Sequence, residues 1–311
     1  MYSGIGFYIA YSILRIDPTC GLHEGSLPNT WSTKKDHQEY TELAKNELRK
    51  NFPSTKYHLN SWQDVYFPSR DADIKINGWL FNYFQNRPIV IVVHGLFPNG
   101  KCKPESNIIA SLLIQQKINA LTIDLRNYGQ SDTVSKYEDL GLKSYNDVLG
   151  AFDFLKKIGF TADQIGLHGI SLGGSTAIFA AANESTIKAI WTDSTLAEFN
   201  LILKDEIARY GMPNIFGPIV SLIGQMLTGI NPSDLSPAYK LTSSQSYYIT
   251  HGQKDKRVPV HHFEFFQNYV SKKNIEADFW LIPDAYHVDA MIKYPDEYSE
   301  KMKQFFEENL K

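Results

Sequence analysis

The sequence predicts an α/β protein with a mostly parallel central sheet, helices on both faces and a small helical cap. Residues 88–93 read PIVIVV, a β-branched run of the kind that forms a strand buried on both faces. From there to the C-terminus, short apolar runs alternate with segments of helical length, which is typical of parallel sheets. The chain has 311 residues, 43% of them hydrophobic, so it can bury a large core.

The elements can be placed in order along the chain. Residues 62–67 and 74–84 alternate apolar and polar side chains around a turn, which predicts two antiparallel strands. After the strand at 88–93, further strands are predicted at 120–125, 165–170, 187–192, 247–250 and 276–282. Helices are predicted at 107–116, 144–158, 172–182, 260–270 and 295–310.

Residues 196–246 interrupt this alternation. They contain two apolar helical stretches, LAEFNLILKDEIARY and FGPIVSLIGQMLTGI, with prolines between and after them. Because so long a connection in a compact domain is usually functional, the segment is predicted to form a cap over the active site; a helical insertion packed elsewhere is the alternative. The predicted organisation is thus an N-terminal helical or extended segment, 1–59, and a domain at 60–311 that contains the cap.

The N-terminal segment has two parts. Residues 4–14 (GIGFYIAYSIL) are apolar but shorter than the roughly 20 residues that span a bilayer, and no basic stretch precedes them. Three interpretations remain open: a helix packed on the domain, an interfacial contact with a membrane, or the end of a longer membrane anchor. Residues 33–51 are polar and helix-prone, which predicts a surface helix with a solvated face.

Charge and cysteine content exclude several classes of function. The net charge is -3 with no block of like charges, so nucleic acid is not an expected partner. The two cysteines, Cys20 and Cys102, form neither a disulfide framework nor a metal-binding pair, and a bridge between them is not favoured. This composition fits a reducing compartment; a cytoplasmic or membrane-associated location stays open.

The stretch GISLG at residues 169–173 lies where a predicted strand gives way to a predicted helix. A serine in such a sharp turn, here Ser171, is the arrangement of a nucleophile at a helix N-terminus. Glycines two residues to either side are expected because neighbouring backbone passes close to them. The pentapeptide alone is a weak signal, so its meaning depends on the other candidate residues.

A serine nucleophile needs a base, and the base needs an acid that orients it. Asp255 follows the strand at 247–250 and His287 follows the strand at 276–282, so both lie where parallel strands end on the side of Ser171. They are the predicted acid and base. Asp193, at the end of the preceding strand, is the main rival acid; Asp284 and Asp289, beside His287, are the others.

The oxyanion of the intermediate needs backbone N–H donors. Leu172, after the nucleophile, and Leu96, in the loop after the 88–93 strand, are the predicted donors. The histidines at 94, 168 and 251 are interpreted as structural, and those at 261 and 262 as the surface start of a helix. No metal site and no cofactor are predicted.

Several motifs, in this order, resemble those of the α/β-hydrolase superfamily over about residues 60–311: VHGL at 93–96, DLRNYGQS at 124–131, HGISLGG at 168–174, TDS at 192–194, HGQKD at 251–255 and AYH at 285–287. Within it, the chain looks like the bacterial-type hydrolases of the serine-aminopeptidase-like branch. Asn127 stands where the family usually has glycine. The resemblance implies an α/β-hydrolase fold and the chain order Ser171, Asp255, His287.

The resemblance and the residues together predict a serine hydrolase that cleaves a carboxylic ester through an acyl-enzyme. A thioesterase, a serine peptidase and a non-catalytic ligand-binding protein on the same fold are the alternatives. The expected partner is a small-molecule acyl substrate. Membrane association through the N-terminus stays open, because many relatives carry an N-terminal membrane helix.

Overall fold

A computed structural model describes residues 2–16, 25–33, 43–96 and 100–311. Its centre is an eight-stranded sheet in the order β1-β2-β4-β3-β5-β6-β7-β8. The strands are β1 (Gln63–Pro68), β2 (Lys75–Phe81), β3 (Ile89–Val93), β4 (Asn119–Asp124), β5 (Ile165–Ile170), β6 (Ala189–Asp193), β7 (Ser246–Gly252) and β8 (Ala277–Ile282).

The sheet is antiparallel at one edge and parallel elsewhere. β1 pairs with β2, and β2 with β4, in antiparallel fashion, while all pairings from β4 through β3 to β8 are parallel. All five residues of β3 are buried, as a strand covered on both faces requires. The predicted α/β-hydrolase fold is confirmed, and the carboxyl ends of β3, β5, β6, β7 and β8 meet at one edge.

Helices cover both faces of the sheet. One core cluster includes α4 and α5 together with inward-facing strand residues, and the other includes α3 and α10. The helices are α1 (Tyr2–Leu14), α2 (Leu43–Asn51), α3 (Pro104–Gln115), α4 (Tyr145–Lys157), α5 (Leu172–Asn183), α6 (Phe199–Arg209), α7 (Gly217–Thr228), α8 (His261–Lys273), α9 (Ala290–Lys293) and α10 (Pro295–Asn309).

The connection between β6 and β7 contains α6 and α7, within the segment predicted to be a cap. The N-terminal helix α1 packs on α7. Ile9 and Ala10 of α1 form a small core with Ile207 of α6 and Val220 of α7. Residues 4–14 therefore form a helix packed on the protein, which is one of the three interpretations. The helix contacts the insertion.

The prediction of a surface helix with a solvated face at residues 33–51 is wrong for two of the cations in the part that the structure describes. Residues 34–42 lie outside the described residues, and α2 begins at Leu43. Lys45 and Arg49 are only 3% and 2% exposed. They are buried because α2 lies against the loop that follows β8, where carboxylates pair with both cations.

Two further findings concern the cysteines and the possibility of a membrane-spanning helix. Cys102 is disulfide-bonded, contrary to the expectation of unbridged cysteines; Cys20 lies outside the described residues. Among the helices in the described ranges, none combines the length and the apolar character needed to cross a bilayer.

Candidate active site

Ser171 occupies the turn between β5 and α5. Its backbone has φ 54° and ψ -117°, a conformation that is strained for any residue other than glycine. Its N–H donates to the Asp193 carbonyl at 2.7 Å. A Cβ at Gly169 would lie 2.4 Å from the Gly173 carbonyl oxygen, and one at Gly173 would lie 2.2 Å from the Val93 carbonyl oxygen. Only glycine fits at these two positions, so the turn can bring Ser171 to the edge of the sheet.

The structure brings Ser171, His287 and Asp255 into one hydrogen-bonded chain. His287 Nε2 lies 3.0 Å from Ser171 Oγ, and His287 Nδ1 lies 2.7 Å from Asp255 Oδ2. These distances are within direct reach for proton transfer from the hydroxyl to the ring. Asp255 is 5% exposed, whereas the His287 side chain is 17% exposed and faces the cavity described below.

Asp255 is an ionised hydrogen-bond acceptor. Its Oδ1 accepts the backbone N–H groups of Arg257 and Val258 at 2.8 and 2.9 Å. Burial favours the neutral carboxyl, but the charge and hydrogen bond of His287 outweigh it, so the pKa of Asp255 is lowered. An ionised Asp255 can only accept, and therefore His287 Nδ1 donates to it. This leaves Nε2 free to accept the Ser171 proton.

Asp193, the rival acid, faces away from His287. Its carboxylate accepts hydrogen bonds from Ser194 Oγ at 2.8 Å and from Tyr298 Oη at 3.0 Å. Tyr298 Oη in turn contacts Trp191 Nε1 and His168 Nε2, each at 2.9 Å. Burial raises the pKa of Asp193 to about 7. Asp193 thus belongs to a buried network behind the turn and supports Ser171 through its main chain.

The other two candidate acids also have different partners. Asp284 accepts from Tyr294 Oη at 3.0 Å and pairs with Lys293. Asp289 pairs with Lys45 and Arg49 of α2. Of the four carboxylates considered, only Asp255 hydrogen-bonds His287 in the described structure.

Leu96 and Leu172, the predicted N–H donors, follow the carboxyl ends of two different strands. Leu172 is the first residue of α5, so its N–H belongs to the free donors of a helix N-terminus. Leu96 follows Gly95, at which a Cβ would lie 3.2 Å from Ser171 Cβ. Leu96 and Leu172 line the same cavity as Ser171. The structure therefore brings both residues to the cavity at Ser171.

The buried histidines near the site have structural partners. His94 Nδ1 donates to the Gly95 carbonyl at 2.7 Å, and its Nε2 accepts the Leu125 N–H at 3.1 Å. Burial lowers the pKa of His94 to about 4 and that of His168 to about 3. His251 Nε2 donates to the Val258 carbonyl at 2.8 Å. Burial disfavours the charged form of all three rings, and each ring is held by at least one hydrogen bond away from Ser171.

One cluster of metal-ligand type occurs in the described residues. Side-chain atoms of Asp205, His261 and His262 lie within 4.8 Å of one another. His262, which the sequence suggested would be at the surface, is fully buried, and its Nδ1 accepts the Ala197 N–H at 3.0 Å. A neutral imidazole that accepts through Nδ1 carries its proton on Nε2, so Nε2 donates to Asp205 and has no lone pair for a metal.

A cavity of about 760 Å³ opens at Ser171. Its walls are largely apolar, and most of the lining comes from the strand-end loops, the insertion and α1. The insertion and α1 contribute Leu196, Phe199, Ile202, Val220, Ala10 and Ile13, among others. Charged residues also line it, among them Arg257 and Glu206, which form an ion pair. A volume of this size suits a small organic molecule.

Sequence reasoning missed the contribution of α2 and α1 to this site. Lys45 lines the cavity and donates to the His287 carbonyl at 2.6 Å. The contact joins residues 242 positions apart, so no local pattern could reveal it. The only available signal was that Lys45 and Arg49 are four residues apart, which puts both cations on one face of a helix.

Residues 112–311 match the model of the prolyl oligopeptidase family. The chain belongs to this family. Membership fits the predicted superfamily, and the match covers Ser171, Asp255 and His287 but neither Leu96 nor α1 and α2.

One curated relative shares part of the sequence, and two solved structures show the same fold. A thiohydrolase of Aspergillus aculeatus, aneE, is 30% identical over 139 residues, 44% of this chain and 43% of its own length, so the match spans less than half of that curated relative. The Pyrococcus furiosus esterase PF2001 aligns over 84% of this chain and 96% of its own, with 20% identity and a TM-score of 0.67. An acylaminoacyl peptidase of Pyrococcus horikoshii aligns over 81% and 42%, with 18% identity and a TM-score of 0.61.

Proposed function

We propose that the protein is a serine hydrolase that cleaves a carboxylic ester through an acyl-enzyme intermediate. The observation that carries this proposal is the chain of hydrogen bonds from Ser171 Oγ through His287 to Asp255 at the mouth of an apolar cavity. Membership of the prolyl oligopeptidase family supports it, because the family name denotes hydrolysis of an acyl bond.

The proposed reaction uses each group in turn. Ser171 Oγ attacks the carbonyl carbon while His287 Nε2 takes its proton, and Asp255 stabilises the imidazolium that forms. The oxyanion accepts the N–H groups of Leu96 and Leu172. His287 then gives the proton to the leaving alcohol. A water molecule attacks the acyl-enzyme by the same route, releasing the acid and restoring Ser171.

An ester with an apolar acyl group is the substrate class that the cavity favours. Most wall residues contributed by the insertion and by α1 are aliphatic or aromatic, which suits an apolar acyl group better than a peptide backbone. One neighbour is named an esterase, one relative a thiohydrolase and one neighbour an acylaminoacyl peptidase. A thioester and an acylated amino acid are therefore the competing substrates to be tested.

A fluorophosphonate probe tests the nucleophile directly. We expect wild-type protein to be labelled and Ser171→Ala to remain unlabelled, because the probe reacts only with an activated serine. Absence of labelling in native wild type would contradict hydrolase activity and favour a ligand-binding protein of the same fold. Labelling of Ser171→Ala would assign the nucleophile elsewhere.

Substrate class is tested with matched acyl groups. A series of p-nitrophenyl esters of increasing acyl length, the corresponding thioesters and an acylamino-acid anilide are compared by kcat/KM. We expect the esters to be preferred and kcat/KM to rise with acyl length until the cavity is filled. A preference for the thioester or the anilide would replace the ester proposal without affecting the nucleophile.

The acid is tested by comparing two carboxamide variants. Asp255→Asn should lower kcat by on the order of 10³–10⁴, because the imidazole then adopts the wrong tautomer. Asp193→Asn should leave kcat nearly unchanged, because Asp193 does not hydrogen-bond His287 and the asparagine Oδ1 can still accept the Ser194 hydroxyl. The reverse result would move the acid to Asp193.

We also propose that residues 196–246, the insertion that contains α6 and α7, act as a cap over Ser171 with α1 as an added wall, and that this cap contacts lipid. Neither α1 nor α7 contains a charged residue. Phe7 and Tyr8 of α1 are 48% and 62% exposed, and Leu222 and Met226 of α7 are 52% and 76% exposed. Neighbouring uncharged helices with exposed apolar side chains favour the interface of a bilayer.

Sedimentation with phosphatidylcholine vesicles tests the lipid contact. Met226→Glu should reduce the bound fraction, because a carboxylate in the apolar interface must be desolvated. Tyr66→Glu is the matched control, since Tyr66 is 46% exposed on β1, at the far edge of the sheet. Equal binding of both variants and wild type would contradict the proposed contact.

A further inference from the structure

The peptide bond between His287 and Val288 makes two hydrogen bonds to side chains from distant parts of the chain. Its C=O accepts from Lys45 Nζ at 2.6 Å, and its N–H donates to Ser194 Oγ at 3.1 Å. Lys45 lies on α2, and Ser194 directly follows β6. Lys45 is 3% exposed and Ser194 is fully buried. Both polar groups of this one peptide plane are thus fixed from outside its own loop.

The conformation of this loop explains why it needs such support. Val288 has φ 52°, which places a β-branched residue in the left-handed region. Such a conformation persists only where the surroundings over-determine it. If either hydrogen bond is lost, the peptide plane can rotate toward an unstrained conformation. The imidazole of His287 then moves with the backbone that carries it.

Ser194 is oriented to accept the Val288 N–H. Its hydroxyl donates to Asp193 Oδ1 at 2.8 Å, which leaves a lone pair of Oγ for Val288. Its backbone N–H donates to the Thr250 carbonyl at 2.9 Å, and its φ of 55° turns the side chain toward the loop after β8. The acceptor is therefore positioned before His287 takes part in any reaction.

Lys45 is fixed by a buried ionic network. Its Nζ lies 3.6 Å from Asp289 Oδ1, and Arg49 Nη2, one turn further along α2, lies 3.3 Å from the same oxygen. Arg49 also pairs with Glu105 Oε1 at 2.6 Å. Glu105 is in the first turn of α3, downstream of the loop that carries Leu96. Through α2, the network joins the loop of His287 to the first turn of α3.

We infer that Lys45 and Ser194 are positioning residues for His287, which hydrogen-bond the C=O and the N–H of the 287–288 peptide bond and so fix the base in its reactive orientation. This inference rests on the proposed function. Asp255 orients the ring through Nδ1, whereas Lys45 and Ser194 fix the backbone from which the ring extends. Lys45 precedes the segment that matches the family model, so α2 brings a side chain from outside that segment to the loop of His287.

Two substitutions with matched controls test the inference on the full chain. Lys45→Met and Ser194→Ala should each lower kcat for a p-nitrophenyl ester by about 10- to 100-fold, with KM changed less than about threefold, because substrate binding is retained while the base is misplaced. Lys50→Met, on the exposed face of α2, and Ser185→Ala, an exposed serine, should have wild-type kcat.

Three further results separate positioning from a general loss of structure. Lys45→Arg, which keeps a charged donor, should recover most of the lost kcat. The double variant should lose less than the product of the single losses, because both side chains act on one peptide bond. Circular dichroism identifies folded variants, and if Lys45→Met does not fold, Ser194→Ala decides alone.

Wild-type kcat in folded Ser194→Ala or Lys45→Met, or a loss that lies entirely in KM, would overturn the inference. So would strictly multiplicative losses in the double variant. By contrast, wild-type protein that neither reacts with fluorophosphonate nor cleaves any acyl substrate would overturn the proposed function itself. The two failures are therefore distinguishable in the same set of assays.

Discussion

The buried carboxyl of Asp193 should make the stability of the protein depend on pH near neutrality. Burial raises its pKa from 3.8 to about 7. The folded state therefore binds this proton more tightly than the unfolded state. As pH rises from about 4 to about 7, the unfolded chain gives up the proton first, so the free energy of unfolding falls; above about 7 the penalty is constant.

The size of the effect follows from the shift. One pKa unit corresponds to about 1.4 kcal/mol, so the penalty from Asp193 grows by roughly 2 to 3 kcal/mol between about pH 5 and about pH 8. Asp193→Asn cannot ionise and should lack this term. Relative to wild type, the variant should gain that amount of unfolding free energy over the same interval, in addition to a constant offset from the altered hydrogen bonds with Ser194 and Tyr298.

Urea unfolding followed by circular dichroism at several pH values measures the difference between variant and wild type. Asp71→Asn is the control: burial raises the pKa of Asp71, but hydrogen bonds from Arg126 and Ser69 outweigh it and lower the pKa. Ionisation of Asp71 therefore changes the free energy of unfolding only at acid pH. Near neutrality, the difference in unfolding free energy between Asp71→Asn and wild type should be constant. A constant difference between Asp193→Asn and wild type from about pH 5 to about pH 8 would refute a protonated, buried Asp193.

Three other predictions concern the turn, the disulfide and the histidine cluster. Gly173→Ala should destabilise the fold by about 3 kcal/mol, because its Cβ would overlap the Val93 carbonyl, whereas Gly4→Ala, with open space around it, should not. Reduction of the disulfide at Cys102 should lower the free energy of unfolding by about 2–4 kcal/mol, and Cys102→Ser should be insensitive to reductant. Calorimetry should detect no saturable zinc binding at the cluster of Asp205, His261 and His262, because His262 Nε2 carries a proton. Asp205→Asn should therefore give the same titration as wild type.

Sequence patterns predicted those features that depend on neighbouring residues or on strand ends. The continuous apolar run of β3 and the strand-to-helix change at Ser171 are local. Asp255 and His287 could be proposed because the carboxyl ends of parallel strands meet at one edge of the sheet. Their proximity to Ser171 therefore follows from the topology. The roles of these residues remain predictions, although the structure joins their side chains by hydrogen bonds.

The surroundings of the site could not be predicted in the same way. Lys45 reads as part of a solvated helix because nothing within α2 indicates the carboxylates of Asp289 and Glu105 that neutralise the helix's cations. Likewise, the composition of residues 4–14 fits a membrane anchor as well as a helix packed on α7. Burial of a charged or apolar surface depends on the partner that covers it, and that partner is remote in sequence.

The reacting residues and part of the cavity wall come from different segments of the chain, and this has a consequence for function. Residues 112–311, which match the family, contain Ser171, Asp255 and His287. The preceding residues add Leu96, Lys45 and the α1 wall of the cavity. We expect the chemistry to depend on Ser171, Asp255 and His287, and the choice of substrate to depend on the walls. Ile13→Ala on α1 should then change the preferred acyl length. The rate of fluorophosphonate labelling should stay at the wild-type value. An altered labelling rate would mean instead that α1 supports the reacting groups themselves.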